Sequence, residues 1–149
     1  MLKILKDQEI KDFEKGPIRR SLFNNGAMSI FHKASGYSGT KVQLHFMAGS
    51  MFEDVTEEGI SHLIEHMIFK ESSTDFIKQL EMAGATVNAY TYKENVCFEM
   101  SCLTKNLEKL LPIFLRKFFT LDFTDDNLEK EKIVVAKELL EDLDDHETQ

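Results

Sequence analysis

A chain of 149 residues is long enough for one domain with a sizeable core and short for two. At 42% hydrophobic, with 12 Phe, its composition is that of a folded protein and not of a disordered one. The net charge of −8 lies wholly in residues 122–149, which hold 11 acids and 3 bases, so no basic stripe is available for nucleic acid.

No apolar run approaches the roughly 20 residues of a membrane span. The opening stretch MLKILKDQEIKDFEKG has charges every few residues and no secretory apolar region. The expectation is a cytoplasmic protein without membrane or nucleic-acid partners. Cys97 and Cys102 sit five residues apart in VCFEMSCL, about 16 Å along a strand, which is too far for a disulfide within it. Both read as free thiols near the core.

The predicted elements follow in chain order. RSLFNNGAMSIFHKA reads as a hairpin around NNG. KVQLHFMAG alternates, with Val42, Leu44 and Phe46 on one face of a half-buried strand. Thr56 is placed to cap a helix that carries Glu57 and Glu58 in its first turn and runs to about Phe69, with Ile60, Leu63, Ile64 and Met67 as its core face. SSTDFIKQLEMAG is a shorter helix, capped by serine or threonine and ended by Gly84. TVNAYTYK and VCFEMSCL form a second hairpin through Glu94 and Asn95. Thr104 opens a helix that buries Leu107, Leu110, Leu111, Phe114, Leu115 and Phe118, with a kink or early break at Pro112. A last helix starts near Thr124, passes Leu143 and carries its main apolar face on Ile133, Ala136, Leu140 and Leu143. The class is α+β, a mostly antiparallel sheet with helices packed on one face, in a single domain over residues 1–149.

SHLIEHMIFK places His62, Glu65 and His66 within five positions. At about 100° per residue the two histidines lie roughly 40° apart on one helix face. Two imidazoles one turn apart reach the same tetrahedral ion, and Glu65 lies beside them, close enough to hold a water without being a ligand. H-x-x-E-H is the inverted zincin arrangement, a modest signal by itself, since a polar-faced histidine pair is usually just solvated. A catalytic zinc needs a third protein ligand. Glu131 and Glu138, seven residues apart and flanked by Val134 and Val135, supply candidates. A plain surface helix has no need of valines beside its acidic stripe, so the simpler reading is a stripe packed against a partner, which buried carboxylates require; the alternative is a solvated part of the acidic tail.

With these motifs the chain resembles the pitrilysin/insulinase family of zinc peptidases. GSMFEDVTEEGISHLIEHMIFKES is similar to the segment around the family's HxxEH helix, including the preceding Gly and Glu. GATVNAYTYKENVCFEM resembles the segment whose Asn-Ala strand edge holds substrate backbone, and EKEKIVVAKELLED the helix with the distal glutamate. The resemblance implies an N-terminal peptidase domain with one zinc per chain. It implies His62, His66 and Glu138 as zinc ligands, Glu65 as general base, Glu131 as a carboxylate behind the ligands, and Asn88 and Ala89 as substrate-binding residues. Family domains continue well beyond the distal-glutamate helix and pair two homologous halves around a chamber, so the chain reads as truncated.

The expected function is a zinc endopeptidase acting on peptides or small unfolded proteins. It needs further domains, a homo-oligomer or a second peptidase half for full activity. Two rival classes stand beside it: a metal-binding, non-catalytic interaction subunit of a heteromeric processing peptidase, and a binding domain with no metal.

Overall fold

The two hairpin signals become two separate three-stranded antiparallel sheets. The computed structural model describes residues 1–12, 16–71, 74–120 and 123–147, in two units, Met1–Tyr37 and Ser38–Gln149. In the first unit β1 (Ile4–Asp12), β2 (Gly16–Phe23) and β3 (Met28–His32) lie side by side in that order. The NNG turn is where it was expected. Gly26 takes the left-handed φ of +84° that a tight turn requires, and its N–H meets the Phe23 carbonyl at 3.1 Å. Strand β1 was not foreseen, because its charges mask the alternation. Those charges are cross-strand partners: the Asp7 carboxylate accepts hydrogen bonds from the Arg19 guanidinium and from the Ser21 hydroxyl at 2.6 Å. The Arg19 contact, followed by Ser21, holds the Asp7 carboxyl down at about 2.

In the second unit β4 (Gly39–Phe46), β5 (Ala85–Thr91) and β6 (Val96–Leu103) form a sheet in the order β4-β6-β5. The expected hairpin between β5 and β6 closes with the Tyr92 N–H on the Asn95 carbonyl at 2.8 Å. Strand alternation divides the sheet into two faces. Val42, Met100 and Val87 stand in register on one, as do Leu44, Phe98 and Ala89. Among the described residues four α-helices follow the chain: α1 (Ile60–His66), α2 (Thr74–Met82), α3 (Leu107–Arg116) and α4 (Asp125–Glu147). Leu80 of α2 and Leu110 and Phe114 of α3 pack with Ile68 against that apolar face. Phe98 is the hub, with ring centroids of Phe118, Phe69 and Phe46 at 4.8, 5.3 and 6.0 Å. The architecture is thus α+β, with helices on one face of an antiparallel sheet. Cys97 and Cys102 are free, buried and on opposite faces.

Several boundaries differ from the sequence reading for physical reasons. Helix α1 starts at Ile60, not near Thr56. Its first free amides are taken by the Glu53 carboxylate, which receives the N–H groups of Gly59 and Ser61 at 2.7 Å each. Helix α3 begins with a 3-10 turn over Thr104–Asn106 and then runs through Pro112 to Arg116 without a break. Helix α2 ends as expected, with Gly84 at φ +82°, whereas its serine or threonine cap lies outside the described residues. Thr124 does cap α4, its Oγ1 accepting the Asn127 N–H at 3.3 Å.

The largest corrections concern which faces point inward. Ile60 and Ile64 are 40% and 43% exposed, while Met67 and Ile68 are buried. On α4, Ile133 and Leu140 are 73% and 63% exposed, while Val135 and Glu131 are buried. The Leu143 side chain lies outside the described residues. Both helices turn toward each other the faces that carry polar groups. A buried hydrogen bond between them, described below, overrides the apolar stripes.

The opposite face of the sheet carries an ion pair between an exposed lysine and a buried carboxylate. Glu99, 6% exposed, accepts hydrogen bonds from Lys41 Nζ and Gln43 Nε2, both at 2.8 Å. The Lys41 contact lowers its pKa, burial opposes, Gln43 helps, and the carboxyl settles below its ordinary 4.5. A carboxyl depressed in the folded state contributes stability that is complete above its unfolded value and lost as pH falls through the folded one. Lys41→Met removes the main cause. The melting-temperature gap between wild type and this variant is therefore expected to be widest above about pH 5 and to shrink toward pH 3. A series of melts followed by circular dichroism reads it; a gap independent of pH would refute the linkage.

Candidate metal centre

Helix α1 points His62 and His66 toward α4, and α4 answers with Glu131 and Glu138. The His66 imidazole is buried, and its Nδ1 N–H donates to Glu131 Oε2 at 2.8 Å. That contact fixes the tautomer: the proton is on Nδ1 and the Nε2 lone pair faces forward. The Nε2 atoms of the two histidines lie 3.1 Å apart. Glu138 Oε2 stands 3.3 Å from His66 Nε2 and 3.5 Å from His62 Nε2. Three ligand atoms therefore converge on one point.

The donor set fits zinc. Bonds of about 2.0 to 2.2 Å in tetrahedral geometry place neighbouring donor atoms roughly 3.3 to 3.6 Å apart. The triangle here has sides of 3.1, 3.3 and 3.5 Å. With the His66 proton on Nδ1, its Nε2 and the Glu138 oxygen are both acceptors. A cation bound among them, or a proton on His62 Nε2, would offset the repulsion of two acceptors that close. His66 is nearly enclosed, whereas the side chains of His62 and Glu138 are 25% and 41% exposed, which leaves the outer side open to solvent.

Glu65 lies outside this triangle. Its Oε2 accepts a 2.6 Å hydrogen bond from the Thr91 hydroxyl at the end of β5. Strand β5 is paired only with β6 among the described residues, so it is an edge. Asn88 is exposed on that edge and Ala89 is half-buried, on the side facing the helices. The structure thus brings together His62, His66, Glu138 and Glu131, holds the Glu65 carboxylate on Thr91, and sets Asn88 and Ala89 on the strand that carries that contact.

Two residues of this neighbourhood were missed in the sequence. Thr91 gave no signal beyond strand propensity. Glu53 stood in a loop, yet it holds the start of α1. Burial pushes the Glu53 carboxyl up, but the Ser61 hydroxyl and the amides of Ser61 and Gly59 outweigh it and hold the group below its ordinary value. A separate cluster sits on the helix-free face, where Cys97 Sγ is 3.6 Å from His45 Nε2 and His45 Nδ1 is 3.0 Å from Asn95 Oδ1. Burial raises the Cys97 thiol above its ordinary range, which keeps it protonated and a donor to the imidazole.

Comparison with known proteins adds an independent line. The family model for Insulinase (Peptidase family M16) matches residues 32–148. The uncharacterized zinc protease YmxG of Bacillus subtilis (strain 168) is 31% identical over 126 residues, covering 82% of this chain and 31% of that protein. The mitochondrial-processing peptidase subunit beta of Homo sapiens is 31% identical over 111 residues, covering 72% of this chain and 23% of that protein. The crystal structure of a protease from Helicobacter pylori shares the fold, with a TM-score of 0.71 at 23% identity over 91% of this chain and 31% of that one. The chain therefore spans less than a third of the length of these relatives.

The Glu131 contact makes a measurable demand. Glu131→Gln keeps an acceptor for His66 but loses the charge that strengthens the imidazole as a ligand, so zinc affinity is expected to fall by about 10- to 100-fold. Competition against a chromophoric chelator measures it; unchanged affinity would remove Glu131 from the site.

Proposed function

Since the chain belongs to the insulinase family of peptidases, peptidase family M16, we propose that it carries the active site of a zinc endopeptidase acting on peptides and small unfolded proteins. One observation carries this reading: His62, His66 and Glu138 converge with ligand spacing while a second carboxylate, Glu65, is held beside them by Thr91. His62, His66 and Glu138 would hold the ion, one per chain, with Glu131 behind His66. Bound there, zinc supplies Lewis-acid chemistry, activating water and polarising the scissile carbonyl.

Glu65 is the general base. Thr91 occupies its Oε2, which leaves Oε1 to take the proton from the attacking water and deliver it to the leaving nitrogen. The open edge of β5 at Asn88 and Ala89 accepts the substrate as an added strand, so recognition reads backbone more than side chains. The gripped Glu65 favours this reading over a non-catalytic metal-binding subunit, which has no use for a base in that position.

The chain covers 31% of YmxG, and turnover is proposed to require association, with another copy or with a second peptidase half, to press the substrate against the β5 edge. The compartment proposed is the cytoplasm. The test combines metal analysis with a quenched-peptide assay, with and without a chelator, in an assembly that turns over peptide. Glu65→Gln is expected to keep its zinc and to lose cleavage by at least about 10²- to 10⁴-fold. Loss of zinc together with activity in that variant would mean that Glu65 is a ligand and the assignment of roles is wrong.

A further inference from the structure

The two histidines are not steadied in the same way. His66 is buried and tied to α4 through Glu131. The hydrogen-bonding contacts of His62 among the described residues are made at Nε2, the ligand atom itself. Its ring also meets that of His66, centroids 4.6 Å apart, and beyond these contacts its position depends on its backbone, which lies in the first turn of a helix whose 7 α-helical residues continue into a π-helical turn over Met67–Glu71. The amides of that first turn lack partners within the helix. Gly59, at the N-cap with φ +88°, brings no side chain to supply one.

Glu53 supplies it from outside the helix. Its two oxygens each take one amide, Oε2 from Gly59 and Oε1 from Ser61, the residue directly before His62. The Ser61 hydroxyl, buried with its residue, adds a further hydrogen bond to the same carboxylate. Glu53 is itself anchored at the other end of a short strap. A Cβ on Gly49 would fall 2.4 Å from the Tyr92 carbonyl oxygen, 2.6 Å from that of Lys93 and 2.8 Å from the Asn95 nitrogen. No side chain fits there, so the strap lies directly on the turn between β5 and β6. The Met51 N–H then bonds the Lys93 carbonyl at 3.0 Å, and a 3-10 turn over Ser50–Phe52 delivers Glu53. The strap thus joins the hairpin that bears the β5 edge to the helix that bears His62.

We propose that Glu53 is a positioning residue of the metal centre: carried on a strap seated at Gly49, its carboxylate sets the start of α1 and so the place of His62 among the ligands. The inference rests on the reading of His62, His66 and Glu138 as a metal site. A plain stabilising cap would lower the melting temperature when removed and leave the geometry of the bound ion alone. A positioning role changes that geometry.

Cobalt(II) substituted for zinc in the purified chain reports it, because its visible absorption follows the arrangement of the ligands, and no catalytic activity is needed. Glu53→Gln is expected to alter the cobalt spectrum and to weaken zinc binding by about 10- to 100-fold, the range for residues behind a ligand. Ser61→Ala, a gentler change that removes only the hydroxyl, is expected to move both readouts in the same direction by less, and it serves where Glu53→Gln does not fold. Leu110→Ala, in the core, is the control: it should lower the melting temperature and leave the cobalt spectrum as it was. Failure of the wild-type chain to take up cobalt or zinc would overturn the metal reading and this inference with it. Metal uptake by wild type, with the same spectrum and affinity in Glu53→Gln or in a folded Ser61→Ala, would overturn the positioning role alone. A change of spectrum in Leu110→Ala matching that of Glu53→Gln would do so too.

Discussion

The buried hydrogen bond between His66 Nδ1 and Glu131 Oε2 joins two helices whose partners stand 65 residues apart in the chain. An ionisable pair placed in such surroundings is costly unless each member satisfies the other. This constraint explains the orientation of both helices. Helix α4 must bring Glu131 inward, so Val135, one turn later, follows it and Glu138 arrives over the histidines. Helix α1 must present His66 to the same place, which turns Ile60 and Ile64 outward. The bond also selects the tautomer whose lone pair lies on Nε2, the atom that faces His62 and Glu138. One contact thus couples packing, orientation and electronic preparation of the site.

The sheet contributes the second half of the arrangement. Phe98 and its aromatic neighbours fix the helix-bearing face, and the alternation along β5 sends Ala89 and Thr91 to that side and Asn88 to the other. Thr91 therefore reaches Glu65 from the same strand whose edge is open. Glu65, the proposed general base, and the proposed substrate edge are tied through one hydroxyl, and their spacing is set by a rigid element and not by a loop.

Much of this was legible in the sequence, and the exceptions follow a pattern. The period-two runs gave β4, β5 and β6, and the NNG and Glu94–Asn95 turns gave the hairpins, because local backbone preferences decide these features. The His62, Glu65, His66 spacing showed a shared face for the same reason. The valines beside Glu131 and Glu138 favoured a partnered acidic stripe over a solvated one, and the structure buries Glu131 and Val135. Period alone misjudged the inward faces at Ile60, Ile64, Ile133 and Leu140, because a buried polar contact outranks an apolar stripe that exposure costs only modestly. Thr91 left no trace, and Glu53, although inside the segment that resembles the family's, carried no sign of its role, because both roles depend on where distant backbone arrives. Strand β1 was hidden because its charges serve cross-strand partners, which a single segment does not display.

An open edge strand presents outward-facing N–H and C=O groups only at every second residue. A peptide laid on β5 therefore slides in steps of two residues, about 6.6 to 6.8 Å, or else exchanges which of its side chains face the helices. The Thr91–Glu65 contact keeps the proposed base fixed relative to that ruler. Cuts made in a long, unstructured polypeptide through this edge would then share a parity, and the resulting fragments would form a ladder whose rungs are two residues apart.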